Sequence, residues 1–207
     1  MDKLISHLSQ QLKGPLPGQE AQYKMAHAVR RRTIPAPDSA RLAGVLALLY
    51  PKDANWHMVF IERPKRKDDR HGGQISFPGG RREEDDDNLM ATALREAEEE
   101  VGVTAEDIQL LGPLTELYIP VSNYLVNPYV GFLEYAPTFR PQPDEVHAIL
   151  EVPFTEFLLP SNRQKTDIKI NPQITLRGVP YFNVQGKVIW GATAMMMSEL
   201  VELSLIT

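Results

Sequence analysis

Leu4, Leu8 and Leu12 recur every four residues, a spacing that lines one face of a short amphipathic helix. "GPLPG" interrupts it, "QEAQYKMAHAVRRR" resumes helical character, and "TIPAPDSA" ends it as a loop. Residues 1–39 therefore read as a helical extension that docks on a following domain, 40–207. Beyond residue 40 the pattern shifts to strands. "GVLALLY" and "HMVFIER" are apolar runs of strand length, and the turn-forming "PKDAN" between them predicts a hairpin. "QISF" is a shorter strand ending at Pro78, Gly79 and Gly80, followed by the acidic loop "RREEDDD". A helix is predicted from Asn88 to Val101, stopped by Gly102. Further strands fall at "IQLLGPLTELYI", "LVNPYVGFLEY" and "EVHAILEV", then a short helix at "FTEFLL". "PYFNVQGKVIW" predicts a hairpin turning at Gln185 and Gly186, and a last helix starts near Ala192. Helices interleave with strands without the regular repeat of a doubly wound sheet, so the fold class is α+β, arranged as an α/β/α sandwich.

Within the helix from Asn88, "ALREAEEEVG" places Glu96, Glu98, Glu99 and Glu100 within five positions of a C-terminal end, where negative charge opposes the helix dipole. At about 100° per residue, Met90, Leu94, Ala97 and Val101 form the stripe expected to face the core. Glu96, Glu99 and Glu100 gather on a largely opposite face, with Glu98 outside the group. Arg95 reaches Glu99 one turn on but cannot neutralise three acids alone. A second acidic group, residues 83–87, approaches from the preceding loop. Hard oxygen donors in this number suit Mg²⁺ or Mn²⁺, and the reaction class they suggest is metal-assisted attack on a phosphoanhydride.

Composition narrows the field. With 207 residues, 43% of them hydrophobic, the chain suits one globular domain with an appendage. The absence of cysteine excludes disulfides, thiolate metal sites and a cysteine nucleophile. No run approaches the roughly 18 apolar residues of a membrane span, and "MDKLISHLSQQLK" lacks a secretory apolar core, so the expectation is a cytoplasmic protein with no membrane partner. A net charge of −5 argues against nucleic acid as the partner.

These residues resemble the signature of the Nudix hydrolases, G-x5-E-x7-R-E-U-x-E-E-x-G-U, where U is aliphatic. Arg95, Glu96, Ala97, Glu98, Glu99, Glu100, Val101, Gly102 and Val103 meet its second half. In the first half, five residues after Gly80 lead to Asp86 in place of glutamate, and eight residues instead of seven precede Arg95. Asp86 and Asp87 are both open as the first acidic member. The resemblance implies an α/β/α sandwich with a mixed sheet that hydrolyses nucleoside diphosphate derivatives. It implies metal ligation by Glu96, Glu99 and Glu100, with Arg95 orienting a neighbouring carboxylate. Either Glu99 or an outside carboxylate, for which Glu145 in "PQPDEVHAILEVPF" is the candidate, would position or deprotonate the attacking water.

A narrower resemblance is to the coenzyme A pyrophosphatase branch, whose extra motif is approximately L-L-T-x-R-[SA]-x3-R-x3-G-x3-F-P-G-G. Here "VFIERPKRKDDRHGGQISFPGG" aligns Arg63 with the first arginine, and Gly73 and the Phe77, Pro78, Gly79, Gly80 run fit completely. Pro64 replaces the small residue, and Asp69 stands where the second arginine is expected, with Arg66 and Arg70 on either side. "VIWGATAMMM" is also similar to that branch. What this implies is a coenzyme A-like substrate held by Arg63, Arg66, Arg70, Gly79 and Gly80. Coenzyme A carries a 3′-phosphate besides its pyrophosphate, and this basic run would suit both. The alternatives are a Nudix hydrolase for ADP-ribose or a dinucleotide, and a non-catalytic nucleotide-binding module. The extension 1–39 is placed either to cover the cleft or to build a homodimer.

Overall fold

The computed structural model describes residues 2–28, 34–65, 72–171 and 173–205. Strand β1 (Arg41–Lys52) runs through the middle of an eight-stranded sheet. It turns through Asp53 and Ala54 into β2 (Asn55–Glu62), which pairs with it antiparallel as the turn signal predicts. On its other side β1 pairs in parallel with β7 (Tyr124–Phe132), and the sheet is therefore mixed. β3 (Ile75–Ser76) and β8 (Ala148–Pro153) extend it beside β2, while β5 (Gln109–Pro113) and β6 (Leu117–Ile119) flank β7.

Side chains alternate along β1 and divide the interior in two. Ala43, Ala47 and Leu49 join a cluster with Met195, Met197, Leu200 and Val201 of the last helix, α5 (Gly191–Leu205). Ile5, Leu8 and Leu12 belong to that same cluster; Ile5 and Leu8 come from the first helix, α1 (Lys3–Gln11). Leu46, Leu48 and Tyr50 point the other way, against Ala93, Ala97 and Val101 of α3 (Leu89–Val101). The result is the expected α/β/α sandwich. The methionines of α5 are packing residues, all buried.

The N-terminal segment is fastened by a buried carboxylate. Glu199 of α5 is fully buried and accepts hydrogen bonds from Gly18 N at 3.2 Å and Gln22 Nε2 at 2.8 Å, both in α2 (Gly18–Tyr23). It also accepts from the backbone N–H and the hydroxyl of Thr115, at 3.2 and 2.6 Å. Several donors converging on one carboxylate satisfy a charge that would be costly if left bare.

Two elements differ from the sequence reading. Residues expected only as a turn form β4 (Gly79–Arg81), which pairs antiparallel with Ala43, Gly44 and Val45 of β1. Glycines carry no strand signal, and only a neighbouring strand edge reveals the pairing. A second, three-stranded sheet joins β10 (Thr175–Val184) to β11 (Lys187–Trp190) and to β9 (Arg163–Lys169). The β10–β11 hairpin turns at Gln185 and Gly186 as expected, whereas β9, "RQKTDIK", is mostly exposed and lacks the apolar alternation that would announce a strand. After β8 comes the short helix α4 (Phe154–Leu158). Among the described residues no helix is long and apolar enough to cross a membrane.

Candidate active site

α3 starts at Asn88, whose side-chain oxygen accepts from the N–H groups of Met90 and Ala91 at 3.0 Å each. It stops at Gly102 in the left-handed conformation, φ 71°. Its buried stripe is Thr92, Ala93, Glu96, Ala97, Glu100 and Val101. This corrects the stripe read from the sequence: Met90 is 39% exposed, and Glu96 and Glu100 lie beside the core face, not opposite it. The cause is the shortness of the contact with β1. A Cβ on Gly44 would stand 2.2 Å from the Leu89 carbonyl oxygen and 2.9 Å from Ala93 N, so helix and strand backbones touch. Small residues fill that interface, and the long side chains of Glu96 and Glu100 reach along it to β4.

There the glycines meet them. Gly79 N–H donates to Glu100 Oε2 at 2.8 Å. A Cβ on Gly80 would lie 2.3–2.5 Å from the Glu96 carboxylate, so only glycine leaves that group its place. Gly79 and Gly80, read above as substrate contacts, thus face the two carboxylates in this structure.

Arg95 organises the acids around it. Its Nε and Nη2 hold both oxygens of Asp86, at 2.9 and 3.0 Å, and its Nη1 reaches Glu96 at 3.2 Å and Glu99 at 3.0 Å. Asp86 is buried and accepts further bonds from Thr92 Oγ1 and Glu83 N, both at 2.9 Å, whereas Asp87 is exposed. Of the two, Asp86 is therefore the loop carboxylate that joins Arg95. The bidentate Arg95 contact holds its carboxyl well below the usual range and raises the guanidinium in turn.

Among the described residues, the carboxylates that converge are Glu96, Glu100 and Glu145, each offering an oxygen within 4.8 Å of the others. Glu99 lies beside this trio, bridged to Glu96 because both accept from the same Arg95 Nη1. On the helix it is only about 40° from Arg95 but about 100° from Glu100, and its half-exposed side chain folds onto the arginine. Glu145 arrives from the loop after β7. That loop is tied to the end of α3 where Arg140 N donates to the Val101 carbonyl at 2.9 Å. No short-range pattern could announce this juxtaposition; the loop's acidic residue beside two prolines was its only trace in the sequence.

Burial pushes Glu96 up to about 7, with Arg95 opposing, and pushes Glu100 up to about 8, with the Gly79 N–H opposing. The charge of Arg63 also favours ionised Glu100, so this arginine stands close to the cluster. Arg63 leads into a loop closed by its backbone bonds to Gln74 O and Gly73 N, at 3.0 and 2.9 Å. Arg66 and Arg70 lie outside the described residues.

Carboxyls raised above their unfolded values bind protons in the folded state that the unfolded chain has released, so their contribution to stability fades as pH rises through about 7 to 8. Asp86 acts oppositely, its contribution being lost as pH falls below its unfolded value near 3.8. The metal-free protein is therefore expected to lose melting temperature steadily from about pH 4.5 upward, by about 5–10 °C or more at pH 9. Mg²⁺ or Mn²⁺ should raise the melting temperature far more at pH 8 than at pH 5.5. Scanning calorimetry with and without metal checks this, and a pH-independent metal effect would contradict it.

A NUDIX domain family model matches residues 40–174. The chain is 39% identical over 132 residues to the uncharacterized Nudix hydrolase NudL of Photorhabdus laumondii, covering 64% of this chain and 69% of that one. It is 35% identical over 131 residues to the uncharacterized Nudix hydrolase NudL of Pectobacterium atrosepticum, covering 63% and 67%. Among solved structures, a MutT/nudix family protein from Enterococcus faecalis superposes with a TM-score of 0.51 over 96% of this chain and 73% of that one, at 15% identity, a likeness of fold alone.

Proposed function

Because the chain belongs to the Nudix hydrolase family, whose members act on phosphoanhydride bonds and generally need a divalent metal ion, we propose that it cuts the pyrophosphate of coenzyme A or its thioesters. The products are 3′,5′-ADP and an (acyl-)phosphopantetheine. The observation that carries the substrate is "HGGQISFPGG" with Arg63 before it: this stretch ends in the two glycines that face Glu100 and Glu96, and Arg63 is close enough for its charge to act on Glu100.

The donor set fits a hard divalent cation, Mg²⁺ or Mn²⁺. Three carboxylate oxygens lie close together, and the two buried ones ionise reluctantly without a positive partner. Glu96, Glu100 and Glu145 would hold the ion, which when bound supplies Lewis acidity and neutralises charge on the substrate phosphates. Arg95 holds Glu96 in place and bridges it to Glu99. Asp86 fixes Arg95 through two bonds. Glu145, the exposed member of the three, is the group to orient a water and take its proton as the new oxygen–phosphorus bond forms and the bridging anhydride bond breaks. Arg63 offers positive charge to the phosphates.

Pure protein with Mg²⁺, assayed side by side on coenzyme A, acetyl-coenzyme A, ADP-ribose and a dinucleoside tetraphosphate, is expected to favour the coenzyme A compounds by roughly ten-fold or more in kcat/KM. Pro64 and the displaced second arginine leave ADP-ribose or a dinucleotide as the second reading, and faster turnover of either would replace the first.

A further inference from the structure

Glu145 is an exposed residue whose carboxylate stands within 4.8 Å of two others, a position that like-charge repulsion opposes. Something in its own loop must hold it there. The loop reads "RPQPDEV", residues 140–146, and its two prolines restrict φ at 141 and 143 and bias the residues before them to extended backbone. Gln142, between them, supplies the ties that bear on Glu145. Its N–H donates to the carbonyl oxygen of Glu100 at 3.1 Å, so the loop hangs on the backbone of the carboxylate residue that Glu145 must meet. Its side-chain oxygen accepts from Asp144 N at 2.5 Å and from Glu145 N at 3.2 Å. Its carbonyl oxygen accepts from Glu145 N at 3.1 Å and Val146 N at 2.8 Å. Val146 is buried in the cluster that packs beneath α3, and His147 N then donates to the Glu62 carbonyl at 2.8 Å as the chain enters β8. The segment is thus a clamped turn, anchored at its start by Glu100 and at its end by Val146, with the Gln142 amide oxygen closing it from inside.

We infer that Gln142 is the positioning residue of this site: its side-chain oxygen, by gathering the N–H groups of Asp144 and Glu145, sets the Glu145 carboxylate against Glu96 and Glu100. Gln142 acts through Glu145 and touches neither substrate nor cation. This rests on the reading of Glu145 as a working member of the site. Losing the amide oxygen frees the turn to relax, and repulsion then carries Glu145 outward. Displacements of about 1 Å in a reacting group cost up to roughly 100-fold in rate.

The test compares Gln142→Ala and Gln142→Met, which remove the acceptor, the second with little change in length, against Gln142→Asn, which can present an oxygen to the same two amides. Glu145→Gln and the double variant Gln142→Ala/Glu145→Gln complete the set. Two quantities are measured: kcat and KM on the best substrate, and Mn²⁺ affinity of the substrate-free protein by calorimetric titration. Ala and Met at 142 are expected to lower kcat by about 10- to 100-fold with KM within about two-fold, and to weaken Mn²⁺ binding. Asn is expected to stay within about three-fold of the parent. The double variant should be no slower, and bind Mn²⁺ no more weakly, than Glu145→Gln alone. If Glu145→Gln is slow but both Gln142→Ala and Gln142→Met match the parent, the positioning role is overturned while the site reading stands. If Glu145→Gln matches the parent, Glu145 leaves the site and the inference goes with it. Failure of both Ala and Met variants to fold counts against positioning, because it makes Gln142 a stability residue.

Discussion

Glu100→Gln is expected to lower turnover by about 10²- to 10⁴-fold while leaving the fold intact. The two halves of that expectation come from different contacts. The glutamine carbonyl can still accept the Gly79 N–H that Glu100 receives at 2.8 Å, so β4 keeps its tie to α3. What disappears is one negative charge from a group of three whose oxygens lie within 4.8 Å of one another. Without metal, that loss relieves repulsion and the reluctance of a buried carboxylate to ionise, so the variant should melt at or above the parent's temperature at pH 8. With Mn²⁺, the parent's gain in melting temperature should shrink to little or nothing in the variant. Turnover at parental rates would remove Glu100 from the site; a variant that unfolds at room temperature would show that its charge matters to folding instead.

Gly44→Ala should give the largest loss of stability. The added Cβ would meet the Leu89 carbonyl oxygen at 2.2 Å and Ala93 N at 2.9 Å, both backbone atoms of α3 that no rotamer change can move aside. Helix and strand must separate, at a cost of about 3 kcal/mol or more, or roughly 6–12 °C in melting temperature for a chain of this size. Separation also withdraws Glu96 and Glu100 from Gly80 and Gly79, so activity should fall in the protein that remains folded. Gly14→Ala is the control, since a Cβ there meets only the Gln11 carbonyl oxygen at an ordinary 3.5 Å. Thermal melts of the two variants side by side decide the matter: a Gly44→Ala protein melting within about 2 °C of the parent would show that the interface can open without strain.

What could be read from residues alone follows the range of the forces involved. The β1–β2 hairpin, the caps of α3 at Asn88 and Gly102, and the turn at Gln185 and Gly186 are local, and each was legible. So was the reach of Arg95 to Glu99 one turn on, a bond of 3.0 Å. The orientation of that helix was legible in part: Ala97 and Val101 are in the core as read, but Gly44 brings Thr92 and Ala93 against β1 and leaves Met90 outside. The choice between Asp86 and Asp87 needed burial and the two-pronged grip of Arg95. Glu145 joins Glu96 across nearly fifty positions, through a loop whose path is set by backbone bonds to Glu100 and Val101. Pairings of that reach leave no periodic mark in a sequence.

The buried Glu199 has a consequence for the order in which the molecule can be completed. Its partners Gly18 and Gln22 precede it by 181 and 177 positions, so during synthesis the segment that supplies them leaves the ribosome long before the helix that needs them. The first helices must wait, their apolar faces unpartnered, until α5 has been made. Closure of this layer therefore follows the synthesis of everything between α2 and α5. The newborn protein passes through a stage in which its sheet can assemble while the seam that α5 makes with α1 and α2 stays open.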